Sequence, residues 1–545
     1  MSRFHLLAGC VLSAALAVAA GPAAAQDRKG TLVVAIDSLA AQNMDPILET
    51  RPGHAHYHAP LYDSLVGFNL ERGGIGPGVA ESWKIADDGT SWTFILRKGQ
   101  KFHNGDPITA EDVKFSIERI RSEESITAQS AALRRLIKDI EVVDEHTVRF
   151  HTNGILVYFP TLFSRAIFHD GTIMPKKYFE KVGAEEFRKN PVGSGPWKFV
   201  RSVPGDYVEY EAVSGHWRGE PSFERLIIMQ VPEESTRMAM VRTGEAAIAS
   251  ISPEAISEVR SSGLRLVSVP GTMQAIYQFW GLHQAQFKDS PLNDVRVREA
   301  LSLAIDRKAI IDNIMEGEAK WPMPFATFGY SLDMDADRWQ RWAEKAFRYD
   351  PDRARALLAE AGYPNGFELT FANTALPGTP FMIDVGLAVA DFWTKVGVKV
   401  KVEHYEWGSF RPLSTSADQA GVAGKPSMYR TAGRPIATTR YQVGFHPEGS
   451  HRLLGDKNNC PELCKEYVAL HQAVEKERDD AKRGELTNQM IEMTSNTWMA
   501  VPILEGMGYW AVNTEKVGQF KPIPGRHEFG DVFERMPRPE QKPWQ

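Results

Sequence analysis

Residues Pro77 to Arg119 read PGVAESWKIADDGTSWTFILRKGQKFHNGDPITAEDVKFSIER. Two short runs rich in aromatic and β-branched residues, Trp83 to Ala86 and Trp92 to Leu96, flank Asp87-Asp88-Gly89-Thr90. That pattern predicts a β-hairpin closed by an Asp-Gly turn. Asn104-Gly105-Asp106-Pro107 predicts a second turn. Thr109 stands three residues before Asp112, which approximates a capping box at the start of a helix. Val113, Ile117 and Ile120 would form the buried face of that helix.

The same mixture continues outward from this stretch. TLVVAI at Thr31 to Ile36 predicts a buried strand, followed by a turn at Asn43-Met44-Asp45-Pro46. Pro232-Glu233-Glu234 opens a helix through Met238 and Val241 that Gly244 ends. Asn293-Asp294 opens another, with Val297, Ala300, Leu301, Ala304 and Ile305 as its apolar stripe. Asp350-Pro351 supplies an N-cap and a first-turn proline, and Gly362 stops that helix. Tyr277, Phe279 and Trp280 read as a strand between Gly271 and Gly281. Strands and helices alternate without a repeat, which predicts α/β lobes.

The chain has 545 residues, 43% hydrophobic and 24% charged, with a net charge of −6 and 3 Cys. Two or three lobes are expected at this length. The acidic balance argues against a nucleic-acid binder. Residues 1–25 read as a cleavable signal peptide: Arg3, an apolar run Leu6 to Ala20, the Gly21-Pro22 break, and Ala23-Ala24-Ala25 before Gln26. An uncleaved anchor would need a longer run. Leu7-Ala8-Gly9-Cys10 resembles a lipoprotein box, but too little apolar sequence precedes Cys10. The mature chain is therefore expected to be exported, and Cys460 and Cys464 would meet an oxidising compartment. With Cys460 as N-cap and Pro461 at the first helical position, the two would lie on one turn, close enough for a disulfide. A metal pair with His451 is the rival and lacks enough ligands.

Motifs for catalysis are sparse. Gly193-Ser194-Gly195 lacks the spacing of a nucleophile elbow, Gly424-Lys425-Pro426-Ser427 is not a phosphate loop, and no His-Glu-x-x-His occurs. The HAHYH run puts His54, His56 and His58 together as a candidate metal set, with a partly exposed polar segment as the bland alternative.

Further segments carry a family resemblance. VGSGPWKF (Val192 to Phe199), RTGEAAI (Arg242 to Ile248), DVRVREALSLAIDRKAII (Asp294 to Ile311) and YDPDRARALLAEAGY (Tyr349 to Tyr363) follow the opening stretch in order. Together they resemble the large solute-binding proteins of peptide/nickel-type ABC importers (family 5, cluster C). The resemblance implies a type II periplasmic-binding-protein clamp with two main lobes and an inserted smaller lobe. Lobe I would comprise 26–65, 186–274 and 486–545; the insert 66–185; and lobe III, closing on a ligand held between it and lobe I, 275–485. It further implies a periplasmic monomer without catalysis, cofactor or nucleic acid, whose partners are a small peptide or peptide-like solute and the permease and ATPase subunits. A hydrolase or a ligand-presenting sensor on the same shell are the competing readings.

One departure points to the ligand. Peptide-binding members usually carry Gly-Trp and then an Asp for the peptide's α-ammonium group. Here the comparable run is Tyr429-Arg430-Thr431-Ala432-Gly433-Arg434-Pro435-Ile436-Ala437, with Arg440 close by and no acid following. A buried ammonium without its ion pair is costly, whereas arginine forks suit carboxylate or phosphate. An anionic solute is therefore expected: an acidic or blocked peptide, an opine-like conjugate or a metal chelate. The alternative is that these arginines face solvent or neutralise nearby acids. The candidate ligand-binding set is Asn43, His58, Tyr277, Trp280, Trp407, Tyr429, Arg430, Arg434 and Arg440.

Overall fold

The computed structural model describes residues 30–542 apart from 40, 49–54, 69–73, 128–129, 165–170, 377–378, 417 and 526–531. The signal segment, Cys10 and His54 lie outside the described residues. No helix among the described residues is long and apolar enough to cross a membrane.

In chain order the strands are β1 (Thr31–Ile36), β2 (Val66–Phe68), β3 (Ile75–Pro77), β4 (Ala80–Ile85), β5 (Ser91–Leu96), β6 (Ile137–Asp144), β7 (Thr147–Thr152), β8 (Trp197–Val203), β9 (Tyr207–Ala212), β10 (Arg225–Gln230), β11 (Ile248–Ile251), β12 (Arg265–Phe279), β13 (Glu368–Ala375), β14 (Lys399–Glu406), β15 (Pro426–Ala432) and β16 (Ala500–Val512). Ten of them form one sheet, ordered β14-β13-β15-β12-β16-β11-β1-β10-β9-β8. β1 lies between two parallel neighbours, β10 and β11. A strand buried on both faces has no polar face to present, which is why TLVVAI shows no alternation.

The opening stretch folds as its sequence predicts. β4 and β5 pair as a hairpin inside the separate sheet β4-β5-β7-β6. Thr109 and Asp112 form a capping box at the start of helix Ala110–Ile120, and Val113, Ile117 and Ile120 are buried. The strands of this sheet all lie within 66–185, the stretch expected to form the insert.

β12 and β16 are the long members of the large sheet and run antiparallel to each other. One end of the pair meets β11 and the other meets β15, so the two main lobes share a continuous sheet. The register slips between Val269 and Met273. Gly271 sits there at φ +73°, in the left-handed region that glycine adopts at no steric cost. Gly271 is thus a bulge inside a strand, whereas the sequence reading made it the strand's start.

Three of the expected lobe limits cut through elements. The 185/186 limit falls inside helix Lys176–Lys189, whose Phe187 packs on Phe179, which in turn meets Phe115 of the insert. The 274/275 limit falls inside β12, and 485/486 falls inside helix Asp480–Ser495, which packs on helix Glu462–Lys476 of lobe III. Apolar side chains bind these helices to one lobe as whole units.

Cys460 and Cys464 form a disulfide with Cα atoms 5.3 Å apart. The cap differs from expectation by one residue: Pro461, with ψ 171°, is the N-cap of helix Glu462–Lys476 and Cys460 precedes it.

Candidate functional site

β15 runs beside β12 with Tyr429 opposite Ile276. Directly opposed residues share a face, and alternate residues point to opposite faces. Tyr429 therefore faces away from the side that Tyr277 occupies. Its ring meets Trp280, Trp407 and His451 at centroid distances of 5.8, 5.8 and 5.0 Å. Phe410 stacks on Trp407 at 6.2 Å and touches Trp280 at 6.1 Å. Helix Trp407–Thr415 begins directly after β14, so Trp407, Phe410 and Arg411 fall at i, i+3 and i+4 on one helical face. That spacing brings Arg411 over Trp407 (5.7 Å) and lets its Nη1 donate to Tyr429 Oη at 3.3 Å.

Guanidinium groups surround this aromatic box. His451 is buried, and its imidazole is pushed down to about 3 by desolvation first and then by Arg440, Arg411 and Arg452. The ring is therefore neutral at any physiological pH. Arg440 is half-buried. Desolvation first, then the charge of Arg434, with a smaller push from Arg430, lower its guanidinium to about 9. Arg430, Arg434 and Arg440 are thus neighbours. Among the described residues Arg440 makes a single hydrogen bond, Nε to the Ala432 carbonyl at 3.1 Å, Arg411 bonds Tyr429, and neither forms an ion pair with a carboxylate. Arg307, buried in the same lobe, is a useful contrast. Its donors are taken up by the carbonyls of Pro502, Ser302 and Phe347 and by Ser302 Oγ.

The loop that carries Arg434 is tied to β12. Tyr330 Oη donates to the Gly271 carbonyl at 2.9 Å. A Cβ at Gly433 would come within 1.6 Å of the same Tyr330 Oη, and one at Gly525 within 2.5 Å of the ring. Tyr330 thus wedges between the β12 bulge, the Gly433 loop and the C-terminal segment. The absent acid has a counterpart from elsewhere in the chain: buried Asp333 accepts from Ala437 N (2.8 Å), Thr438 N (3.0 Å) and Thr438 Oγ1 (2.7 Å), capping helix Thr438–Phe445. Burial raises its carboxyl above the ordinary range. Three local donors already occupy it.

The other sequence candidates lie apart. Tyr277 is packed in the lobe III core against Trp393 at 5.1 Å. Asn43 and His58 serve lobe I: His58 Nε2 bonds the Asn43 carbonyl at 2.7 Å, and Asn43 Oδ1 accepts from Asp45 N. His56 is buried edge-on to Trp510. The imidazoles of His56 and His58 are committed to core packing, and the described residues contain no cluster of three or more metal-ligating side chains. Gly193 and Gly195 pack against the Leu61 and Pro60 carbonyls, and Ser194 Oγ donates to buried Asp63. A second space lies between the insert and lobe III, where Arg434 forms part of the wall.

Residues 74–439 match the family model of the bacterial extracellular solute-binding proteins, family 5 (middle region). The chain belongs to this family. It is 31% identical over 397 residues to heme-binding protein A of Haemophilus influenzae, covering 67% of this chain and 68% of that one. It is 27% identical over 509 residues to the dipeptide-binding protein of Escherichia coli strain K12, covering 87% and 89%. The substrate-binding protein CtaP of Listeria monocytogenes shares the fold with a TM-score of 0.77 at 20% identity, covering 94% of this chain and 100% of that one. As a family 5 protein, the chain is the solute-binding component of an ABC importer with a two-lobe α/β clamp. Arg411 of the box and the helix-capping Asp333 went unread in the sequence. Arg411 was accessible through its i+4 spacing from Trp407. Asp333 lies about a hundred positions from its partners and left no local signal.

Proposed function

We propose that this family 5 protein captures a peptide or peptide-like solute with an exposed anionic group and delivers it to a membrane permease. The observation that carries the reading is Arg440, whose charge acts on His451 and Tyr429 of the box and which has no carboxylate partner among the described residues. An incoming carboxylate would relieve the repulsion among Arg430, Arg434 and Arg440 and accept charge-assisted bonds from them. The aromatic faces of Trp280, Trp407 and Tyr429 would hold the body of the solute. A solute touching both lobes favours the closed clamp, because the open form offers only one set of contacts. ATP hydrolysis falls to other subunits, and the protein acts in the periplasm after loss of residues 1–25.

Calorimetric titration tests this. Alanyl-alanyl-alanine, its N-acetylated form and a nickel–citrate chelate are compared on wild type and on Arg440→Ala. Binding of N-acetylated peptide that falls at least tenfold in the variant supports the proposal. Tight binding of the free peptide, unchanged in Arg440→Ala and in Arg434→Ala, overturns it. Preference for the chelate would keep the anionic site and replace the peptide class.

A further inference from the structure

A cavity of about 130 Å³ lies between the insert and lobe III. Leu156, Leu162 and Phe159 line it from the insert, and Val443 and His471 from lobe III. Its walls come from two lobes, so an occupant contacts both at once and favours closure. Arg434 belongs to the wall and also adjoins Arg440, so the cavity opens beside the arginine–aromatic box.

Resting on the anionic-solute reading, we infer that this cavity is the specificity pocket of the clamp and takes a branched or aromatic apolar group of the captured solute. Its volume is close to the roughly 150 Å³ of apolar cavities that accept benzene, which suits an isobutyl or phenyl group. Most of the wall surface is apolar, and its charged groups, Arg135, Arg434 and Glu475, carry both signs at the cavity's edge. His471 is 2% exposed, and burial holds its imidazole at about 4, against a weaker pull from the Thr438 backbone, so it adds no charge. Its Nε2 and the Tyr158 Oη, which also lines the cavity, are buried without a hydrogen-bond partner of good geometry. One polar atom on the entering group, such as a ring hydroxyl or a neighbouring amide, would satisfy them. The arginines therefore choose the charge of the solute and the cavity chooses the side group beside it.

The test uses three blocked peptides that share one carboxylate: N-acetyl-Gly-Gly, N-acetyl-Gly-Leu and N-acetyl-Gly-Phe. The full mature protein should bind the leucine and phenylalanine peptides about 10- to 100-fold more tightly than the glycine peptide. Val443→Trp, and independently Leu162→Phe from the opposite wall, should cut that preference to about threefold or less. Arg440→Ala should weaken all three peptides alike. Equal binding of the three peptides by wild type overturns the pocket. So does a preference that survives both filling variants. A lost preference in the filling variants with Arg440→Ala at wild-type affinity supports the pocket and overturns the anion reading. No binding of any peptide by wild type overturns both.

Discussion

Arg440→Ala separates a ligand-facing arginine from one that supports the fold, because the two roles predict opposite effects on the empty protein. In the unliganded chain Arg440 sits in the positive field of Arg434 and Arg430, and burial adds to the penalty on its charge. At about 1.4 kcal/mol per pKa unit the descent from the ordinary value to about 9 would be an upper bound near 5 kcal/mol. The side chain is half-buried, so solvent screening reduces this to the order of 1 kcal/mol. Truncation also removes the bond to the Ala432 carbonyl, worth about 1 kcal/mol, but that residue is exposed and its carbonyl can be rehydrated. The empty variant should therefore melt within about 1–2 °C of wild type or slightly above it. With N-acetylated tripeptide present, the loss of charge-assisted bonds worth about 1.5–3 kcal/mol should weaken binding about 10- to 150-fold. Arg440→Lys keeps the charge and loses the fork, so it should fall between the two. Scanning calorimetry of the empty protein and titration calorimetry of the complex read the two effects separately. A fall of 4 °C or more in the empty variant with unchanged affinity would refute the reasoning and make Arg440 a structural residue.

Three further outcomes follow from other contacts. Gly433→Ala should displace Tyr330, break its bond to Gly271 and cost about 1–3 kcal/mol in urea unfolding, with weaker solute binding because the Arg434 loop moves; wild-type stability would contradict the wedge. Reducing Cys460–Cys464 removes a short-loop constraint worth about 2 kcal/mol by the chain-entropy relation, so the melting temperature should drop in reductant, whereas Cys460→Ser should be insensitive to it. For pH, the signs differ by residue. His451 at about 3 and His471 at about 4 bind protons only when unfolded, so their contribution is complete above about 6.5 and lost on acidification. Glu505, raised to about 7 by burial, holds its proton in the fold, so its contribution is complete below about 4.5 and lost as pH rises through 7. Glu505→Gln should therefore lose about 2 kcal/mol more than wild type between pH 7 and pH 5, measured by urea unfolding; parallel curves for the two proteins would contradict it.

Much of this protein is written in local sequence. The hairpin and capped helix of Pro77 to Arg119, the doubly buried β1 and the Cys460–Cys464 pair depend on neighbours within a few residues, and turn chemistry, caps and periodicity report such contacts directly. Ordered motifs along the chain were enough to indicate the family. The approach of Trp280, Trp407, Tyr429 and the arginines was legible only as a set of candidate types. Tyr277 looked equivalent to Trp280, but a strand's alternation sends one to the Trp393 core and the other to the box, and the bulge at Gly271 could not be placed from sequence. His56 and His58 had the composition of a metal site, and only packing against Trp510 and Asn43 showed them committed to lobe I. Asp333 capping a helix a hundred residues away, and a cavity walled by two lobes, arise from long-range closure of the chain. Local sequence determines conformations whose energy is local. Which face meets which lobe depends on packing between distant segments, and that is decided only when the whole sheet, with its shared β12–β16 pair, is assembled.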